Sequence, residues 1–480
     1  MEKLKLLSRR NMIKLASGGV TGAAALNALR LAGGGALASF VAGLPDPVQA
    51  AQSATLKGGM PRLKITDIKV FLTVVNNTHM CNVKVYTSEP GLYGIGHADH
   101  AERVWIEKEY IEKFLKPAVV GRYCDEIEDI WQMAWVAPYW RSSVDSNNAM
   151  SAIDSALWDI FGKRAGVPVC NFFGGKVRPK IPMFANVGGA SLQQQEENAQ
   201  KLIADGYQFL RVAAVGKVGR RPVDPAFANL RGQGNLPGGG GQGAPGFGER
   251  GPIYVNRIRE GEYITDQVES LEHLRNKIGF NIDMLAEADA MMSPANGIVL
   301  SKALEPFRLF WLEEAFGSED IAWHEQLRQV SATPIALGEV FVSQHEWLPL
   351  VNRRLMDFMR MHVSACGGLS HARKVAALCE FNGVKTSWHG PPNVSPVGHA
   401  VNMHLDLALP NFGLGEGAPF NQTLQDLFPG IPERHNGFTF PNDRPGLGID
   451  IDEKVAAKLA ATTPGSDRGT RCYDGSPCKP

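Results

Sequence analysis

The sequence predicts an α/β protein, a TIM-type parallel β/α barrel preceded by a small α+β unit. Three observations carry this expectation. Between Leu63 and about Gly175 the chain runs strand, strand, then helices. From Ile181 onward, short apolar strands alternate with amphipathic helices, the rhythm of a parallel barrel. Three successive strands end on an acid, Glu287, Glu313 and Glu339, each 26 residues after the last.

In the first unit, Ile65–Val75 and Cys81–Tyr86 alternate as strands do, and Gly91-Leu92-Tyr93-Gly94 marks a turn. Arg103–Phe114, Ile127–Met133 and Ala149–Ala165 repeat apolar residues at three and four, as helices do. The barrel strands are expected at Ile181–Ala185, Phe209–Ala214, Ile282–Glu287, Leu309–Glu314, Pro334–Glu339, Asp357–Met361, Val384–His389 and Phe412–Glu416. Gln193–Asp205, Ser293–Leu304, His371–Phe381 and Val397–Leu407 are among the helices between them. One connection breaks the rhythm. Val215 to Pro252 is rich in Gly, Pro and Arg, includes Gly238–Gly241, and is read as a lid or an insertion. The expected division is a signal segment over 1–50, a cap over 62–180, the barrel over 181–416, and a segment over 417–480 returning to the cap.

Composition excludes several classes. At 480 residues, with 44% hydrophobic and 20% charged side chains, neither a disordered chain nor a multi-span membrane protein fits. The first 50 residues hold six basic side chains and two acids, leaving 43 basic against 47 acidic, a net of −4, and no nucleic-acid footprint. Ser8-Arg9-Arg10-Asn11-Met12-Ile13-Lys14 is a twin-arginine pattern, followed by an Ala/Gly/Leu stretch and small residues near Val48-Gln49-Ala50. The expectation is export to the periplasm, with a mature chain starting near Ala51. Arg30 interrupts the apolar run too soon for a stable membrane span. None of the seven cysteines forms a C-x-x-C pair, which argues against zinc, although Cys472 and Cys478 are placed to bridge in an oxidising compartment.

The acids carry the chemistry. The C-terminal ends of barrel strands form the working rim. Three carboxylates on neighbouring strands there repel one another unless a cation neutralises them, and an all-oxygen set favours Mg²⁺. Arg360, His389 and Glu416 stand at the ends of later strands. An imidazole beside a metal is a natural general acid or base. Arg360 either pairs with an acid or clamps a carboxylate substrate. Asp289, two residues past Glu287, falls on the same face by strand alternation and reads as a base or a fourth oxygen ligand.

From Leu63 to Asp452 the sequence resembles the enolase superfamily, in particular its mannonate/gluconate dehydratase branch. The segments that carry the likeness are Ile127–Gln132, Tyr139-Trp140-Arg141, Ala152–Ile160, Phe310–Glu314, Leu337–Phe341, Ala365–Leu369 and Pro445–Asp452. The resemblance implies an α+β capping domain over a (β/α)₇β barrel, Mg²⁺ on the three carboxylates and a homo-oligomer. It implies a sugar-acid substrate and chemistry that begins by removing the proton α to its carboxylate. By the same resemblance His389 is the acid/base histidine, Arg360 the substrate-side arginine, Glu416 the last-strand glutamate, and Arg211 the second-strand arginine beside the base.

Three positions depart from that branch. Glu287 stands where its first ligand is an Asp, Asp289 where it has a histidine, and Val223 where it has a catalytic Tyr. Nor does Arg211-Val212-Ala213 supply the Lys-x-Lys of other branches. Turnover of mannonate itself is therefore expected to be weak or absent, with proton transfer falling to His389 and Asp289 or to the long connection. The same proton abstraction in an epimerase, or binding without turnover, is the alternative.

Overall fold

The computed structural model describes residues 61–98, 103–215 and 260–462. The twin-arginine segment, the Gly-rich connection with Val223, and Cys472 and Cys478 lie outside the described residues.

The α+β cap opens with three antiparallel strands, β1 (Ile65–Val75), β2 (Thr78–Thr87) and β3 (Tyr93–His97), in the order β1-β2-β3. The third was not foreseen. Tyr93-Gly94-Ile95-Gly96-His97 reads as a turn because two of its five residues are glycines. The packing explains them, since a Cβ on Gly94 or Gly96 would strike the backbone oxygens of Ala156 and Ala152. Those alanines belong to the helix Val144–Ala165, which lies directly on this strand. Helix α1 (Val104–Tyr110) continues through a π turn (Ile111–Leu115) to Lys116–Val119, and α2 (Ile127–Val136) and α3 (Val144–Ala165) follow. Ser143 caps α3 by accepting the Ser146 N–H, and Gly166, left-handed at φ 70°, ends it.

Seven parallel strands form one curled sheet in sequence order: β5 (Phe184–Val187), β6 (Phe209–Val212), β7 (Asp283–Glu287), β8 (Trp311–Glu313), β9 (Ile335–Leu337), β10 (Phe358–Met359) and β11 (Lys385–Thr386). Between them run α4 (Leu192–Ala204), α5 (Glu260–Ile278), α6 (Pro294–Ala303), α7 (Ile321–Val330), α8 (Gln344–Asn352) and α9 (Leu369–Phe381), and α10 (Pro396–Ala408) follows β11. Phe184, Leu285, Trp311, Ala336, Phe358 and Leu414 fill the sheet's inner face with one apolar cluster.

Two expectations for this sheet are corrected. Ile181–Ala185 is not one strand. Ile181–Pro182, here β4, pairs instead with β13 (Phe438–Phe440), whose hairpin partner is β12 (Glu433–His435), and the parallel sheet begins only at Phe184. Phe412–Glu416 forms no strand. It makes single parallel bridges, Phe412 to Thr386 at one end of the sheet and Gly415 to Met183 beside the other.

The cap is fastened to the loops that carry the site. Asn147 of α3 donates through Nδ2 to the carbonyls of Val342 (2.8 Å) and Ala365 (2.7 Å). The Trp131 indole donates to the Gly367 carbonyl at 2.7 Å, and the Asp154 carboxylate accepts the Ser370 N–H at 2.9 Å. The C-terminal segment reaches the cap as well. The Leu447 N–H donates to Asp159 at 2.7 Å, and Glu453, at the start of the last helix (Glu453–Lys458), accepts from Lys84 and Tyr86, each at 3.2 Å. No described helix is long and apolar enough to cross a membrane.

Candidate active site

Glu287 and Glu313 are the last residues of β7 and β8 and face each other in register. Glu339 is placed differently. Strand β9 stops at Leu337, and Gly338, at φ 136°, turns the chain so that Glu339 lies two residues beyond the strand. A Cβ at Gly338 would press on Phe341 (3.0 Å) and the Met361 N (3.1 Å), so both conformation and space require glycine. Oxygens from the three carboxylates lie within 4.8 Å of one another. Burial pushes Glu287 well above the ordinary carboxylate range; Arg211 opposes this, while Asp289, Glu313 and Glu339 add to it. Burial first, then Glu314 and Glu313, raise Glu339 in the same way.

Two arginines lace this group together. Arg211 on β6 donates through Nε to Asn186 Oδ1 at 2.7 Å and sets a terminal nitrogen 2.7 Å from Glu287, 3.7 Å from Glu313 and 3.8 Å from Glu416. Burial alone would disfavour its charge, but those three carboxylates hold it firmly protonated. Arg360, just past β10, is wholly buried. Its Nε lies 2.7 Å from Glu313, one terminal nitrogen 2.6 Å from Glu416, and the other 3.0 Å from the Ser387 carbonyl. Of the two readings the sequence offered for Arg360, this geometry is the structural pair, with the guanidinium enclosed by protein acceptors instead of open to a substrate. Glu416 also accepts the Gly390 N–H at 2.8 Å. Burial works against its charge, yet Arg360, His389 and Arg211 hold it far below the usual range.

His389 lies three residues beyond β11, with Nε2 3.2 Å from Glu339 and Nδ1 3.0 Å from His362 Nδ1. Burial lowers it well below the ordinary imidazole value, against the pull of Glu416. Asp289 is not where strand alternation places it. Strand β7 ends at Glu287, and Asp289 (φ 47°) and Ala290 (φ 55°) form a left-handed turn. Its side chain is exposed but bonds to Glu287, and it stands outside the three-carboxylate group.

The sequence therefore yields one connected cluster, with Asp289 at its edge. Several participants were missed. His362 stands two residues after Arg360, a spacing that would have flagged it. Tyr263 of α5 donates its hydroxyl to the Glu287 carbonyl at 2.5 Å, and Trp311 its indole N–H to Glu313 at 3.2 Å. Glu314, fully buried at φ 43°, accepts the Gly338 N–H at 2.6 Å. Burial, against the N–H groups of Gly338 and Glu339 that face its carboxyl, pushes it up to about 8.

A donor set made only of carboxylate oxygens, too crowded to stay fully ionised alone, fits a hard divalent cation such as Mg²⁺. Such a site at the C-terminal rim of a parallel β/α sheet, beneath an α+β cap, stands where enzymes of this architecture carry their chemistry. The comparisons with known proteins agree. Residues 56–174 match the N-terminal domain of the mandelate racemase/muconate lactonizing enzyme family, and residues 197–455 match the enolase C-terminal domain-like family. A D-galactonate dehydratase family member of Salmonella virchow (strain SL491) is 42% identical over 401 residues, 83% of this chain and 94% of that protein. RspA of Pantoea ananatis (strain LMG 20103), another member, is 42% identical over 405 residues, 83% of this chain and 95% of that protein. The crystal structure of an enolase from Pantoea ananatis with bound D-gluconate and Mg superposes with a TM-score of 0.79 at 38% identity, covering 87% of this chain and all of that one. This chain belongs to the enolase superfamily, within its D-galactonate dehydratase family.

Proposed function

We propose that this protein is an Mg²⁺-dependent dehydratase of a six-carbon sugar acid of the gluconate type. The observation that carries the reading is the three-carboxylate set with His389 seated against one of its members. The D-gluconate and Mg bound to the Pantoea ananatis enolase support it. Glu287, Glu313 and Glu339 would hold Mg²⁺, whose charge, when bound, offsets the negative charge that develops on the substrate carboxylate as the α-proton leaves.

The remaining steps fall to the side chains. With Mg²⁺ bound, Glu339 would be ionised and could only accept, so His389 would carry its proton on Nε2, toward Glu339. Its Nδ1 then holds a lone pair, and His362 Nδ1–H donates to it; the tautomers follow from this network. To serve the departing β-hydroxyl, His389 first takes up a second proton on Nδ1. That N–H then donates to the Nδ1 lone pair of a His362 protonated on Nε2, and handing over the Nε2 proton returns His389 to the neutral imidazole. Asp289, exposed beside Glu287 and outside the set, takes the α-proton. The C–H electron pair becomes the new double bond, the C–O bond breaks, and the hydroxyl leaves as water. The resulting enol then tautomerises to a 2-keto-3-deoxy acid. Arg211 and Arg360 hold the carboxylates in place.

The test is Mg²⁺-dependent turnover of gluconate, galactonate and mannonate in D₂O, following α-deuterium uptake and keto-acid formation together. Both are expected for gluconate or galactonate and little for mannonate. His389→Asn should lose water elimination by about 10²-fold or more while exchange at the α-carbon continues. Exchange without loss of water would make the protein an epimerase. Binding of the acid with neither outcome would remove the enzymatic reading.

Export through the twin-arginine route to the periplasm is part of this proposal and rests on Ser8–Lys14. Arg9→Lys combined with Arg10→Lys should leave an unprocessed precursor in the cytoplasm. Normal periplasmic processing of that variant would exclude the route.

A further inference from the structure

We infer that Glu314 is a positioning residue, one that aims the third metal-ligating carboxylate, Glu339, and ties its loop to the loop that follows the first. The inference rests on the reading of Glu287, Glu313 and Glu339 as the metal set.

Strand β9 alone cannot place Glu339 on the rim, because it ends two residues earlier, at Leu337. The intervening Gly338 takes a conformation reserved for glycine, and a turn of this kind is held only where its surroundings over-determine it. Glu314 supplies that constraint. Its own left-handed φ of 43° folds the side chain back beneath the neighbouring loop instead of out along the strand. From there Oε1 accepts the Gly338 N–H at 2.6 Å, and the Glu339 N–H faces the same carboxyl.

The backbone of Glu314 reaches both neighbours as well. Its N–H donates to the Ala336 carbonyl at 3.0 Å, and its carbonyl accepts the Ala290 N–H at 2.8 Å, in the turn just past Glu287. The adjoining Glu313 carbonyl accepts the Ala288 N–H at 3.0 Å. One fully buried residue beside the second ligand thus touches the turn that carries Glu339 and the turn just past Glu287. Partners behind metal ligands fix ligand orientation, and their loss typically weakens metal binding by about 10–100-fold.

The experiment is Mg²⁺ titration by calorimetry on the metal-free full chain and on Glu314→Ala, Glu314→Asp and Glu314→Gln, with the thermal melt of each metal-free protein measured alongside. Alanine removes the acceptor and aspartate withdraws it by a methylene, so both should bind Mg²⁺ about 10–100-fold more weakly. Glutamine keeps an acceptor oxygen at full reach and should stay within a few-fold of wild type. Aspartate and glutamine keep the contrast measurable if the alanine variant fails to fold. Affinity that falls equally in aspartate and glutamine variants, or only in step with the melt, would make Glu314 a packing residue and overturn the inference. Wild-type affinity in a folded Glu314→Ala protein would overturn it alone. A wild-type chain that binds no Mg²⁺ would overturn it together with the metal-set reading.

Discussion

Glu339 and Glu416 are the same residue type, both in one buried cluster of charged side chains, and they meet opposite electrostatic fates. Glu416 sits against the guanidinium of Arg360 and near that of Arg211, and it stays ionised in spite of burial. Glu339 has Glu313 and Glu314 as neighbours, and its bonded partner is a neutral imidazole, so burial drives it toward the protonated form. An acid with its own cation is a finished structural element. An acid crowded by other acids is an unfinished one, and it is the unfinished group that can take up a divalent ion.

The largest expected effect comes from breaking the finished side. Arg360→Met leaves Glu313 and Glu416 buried without their shared cation. Removing one partner of a buried ionic network costs about 3–5 kcal/mol, because the charges left behind cannot reach water. Chemical denaturation of the metal-free protein should show that loss. A loss below about 1 kcal/mol would mean that Arg211 alone suffices and that Glu416 has no dedicated cation.

Completing the unfinished side should act in the other direction. Mg²⁺ at a hundred times its dissociation constant stabilises a folded protein by about 2.7 kcal/mol. The gain should depend on pH, because protons and metal compete for the same oxygens. Glu287 and Glu339 have folded-state values above their ordinary 4.5, so each binds more protons folded than unfolded. The stability this gives is present below that value and is lost as pH rises toward the folded one. Glu416, held low, contributes the opposite sign, present above 4.5 and lost as pH falls. The Mg²⁺-induced rise in melting temperature should therefore be clearly larger near pH 8 than near pH 5.5. Equal rises at the two pH values would show that the carboxylates are ionised before the metal arrives.

How far the sequence reveals this follows from how each residue is held. Glu287 and Glu313 were legible because they end apolar strands, where a period of two fixes the face. Glu339 was found for an incomplete reason, since its position depends on a glycine turn and on Glu314, which shows no pattern of its own. Asp289 was misplaced because alternation was carried past the end of β7 into a turn with two left-handed residues. Ile181 was assigned to the wrong sheet, its partner strand at Phe438–Phe440 being more than 250 residues away. Local periodicity does not encode such a pairing. Tyr263 was overlooked because its helix, Glu260–Ile278, was not assigned, and His362 because it lies one residue past a strand read only to Met361.

The smallest effect concerns how the first acid is anchored. Tyr263 →Phe removes one hydroxyl and almost no volume, and the Glu287 carbonyl loses the hydrogen bond it accepts there. Burial, with Asp289 and Glu287 nearby, keeps this phenol protonated far above its usual range, so the donor is present at every working pH. The carbonyl is at the exit of β7, where the chain turns toward Asp289, so the bond fixes the strand end from behind while Arg211 holds the carboxylate in front. A single neutral hydrogen bond is worth about 1 kcal/mol, and the phenylalanine variant should lose about that much on denaturation. Its Mg²⁺ affinity should fall only a few-fold, since Arg211 and the register of β7 on β8 remain. A fall as large as that expected for Glu314→Ala would mean that Glu287 depends on support from behind its strand as much as Glu339 does, and the strand-end and turn-borne ligands would no longer differ.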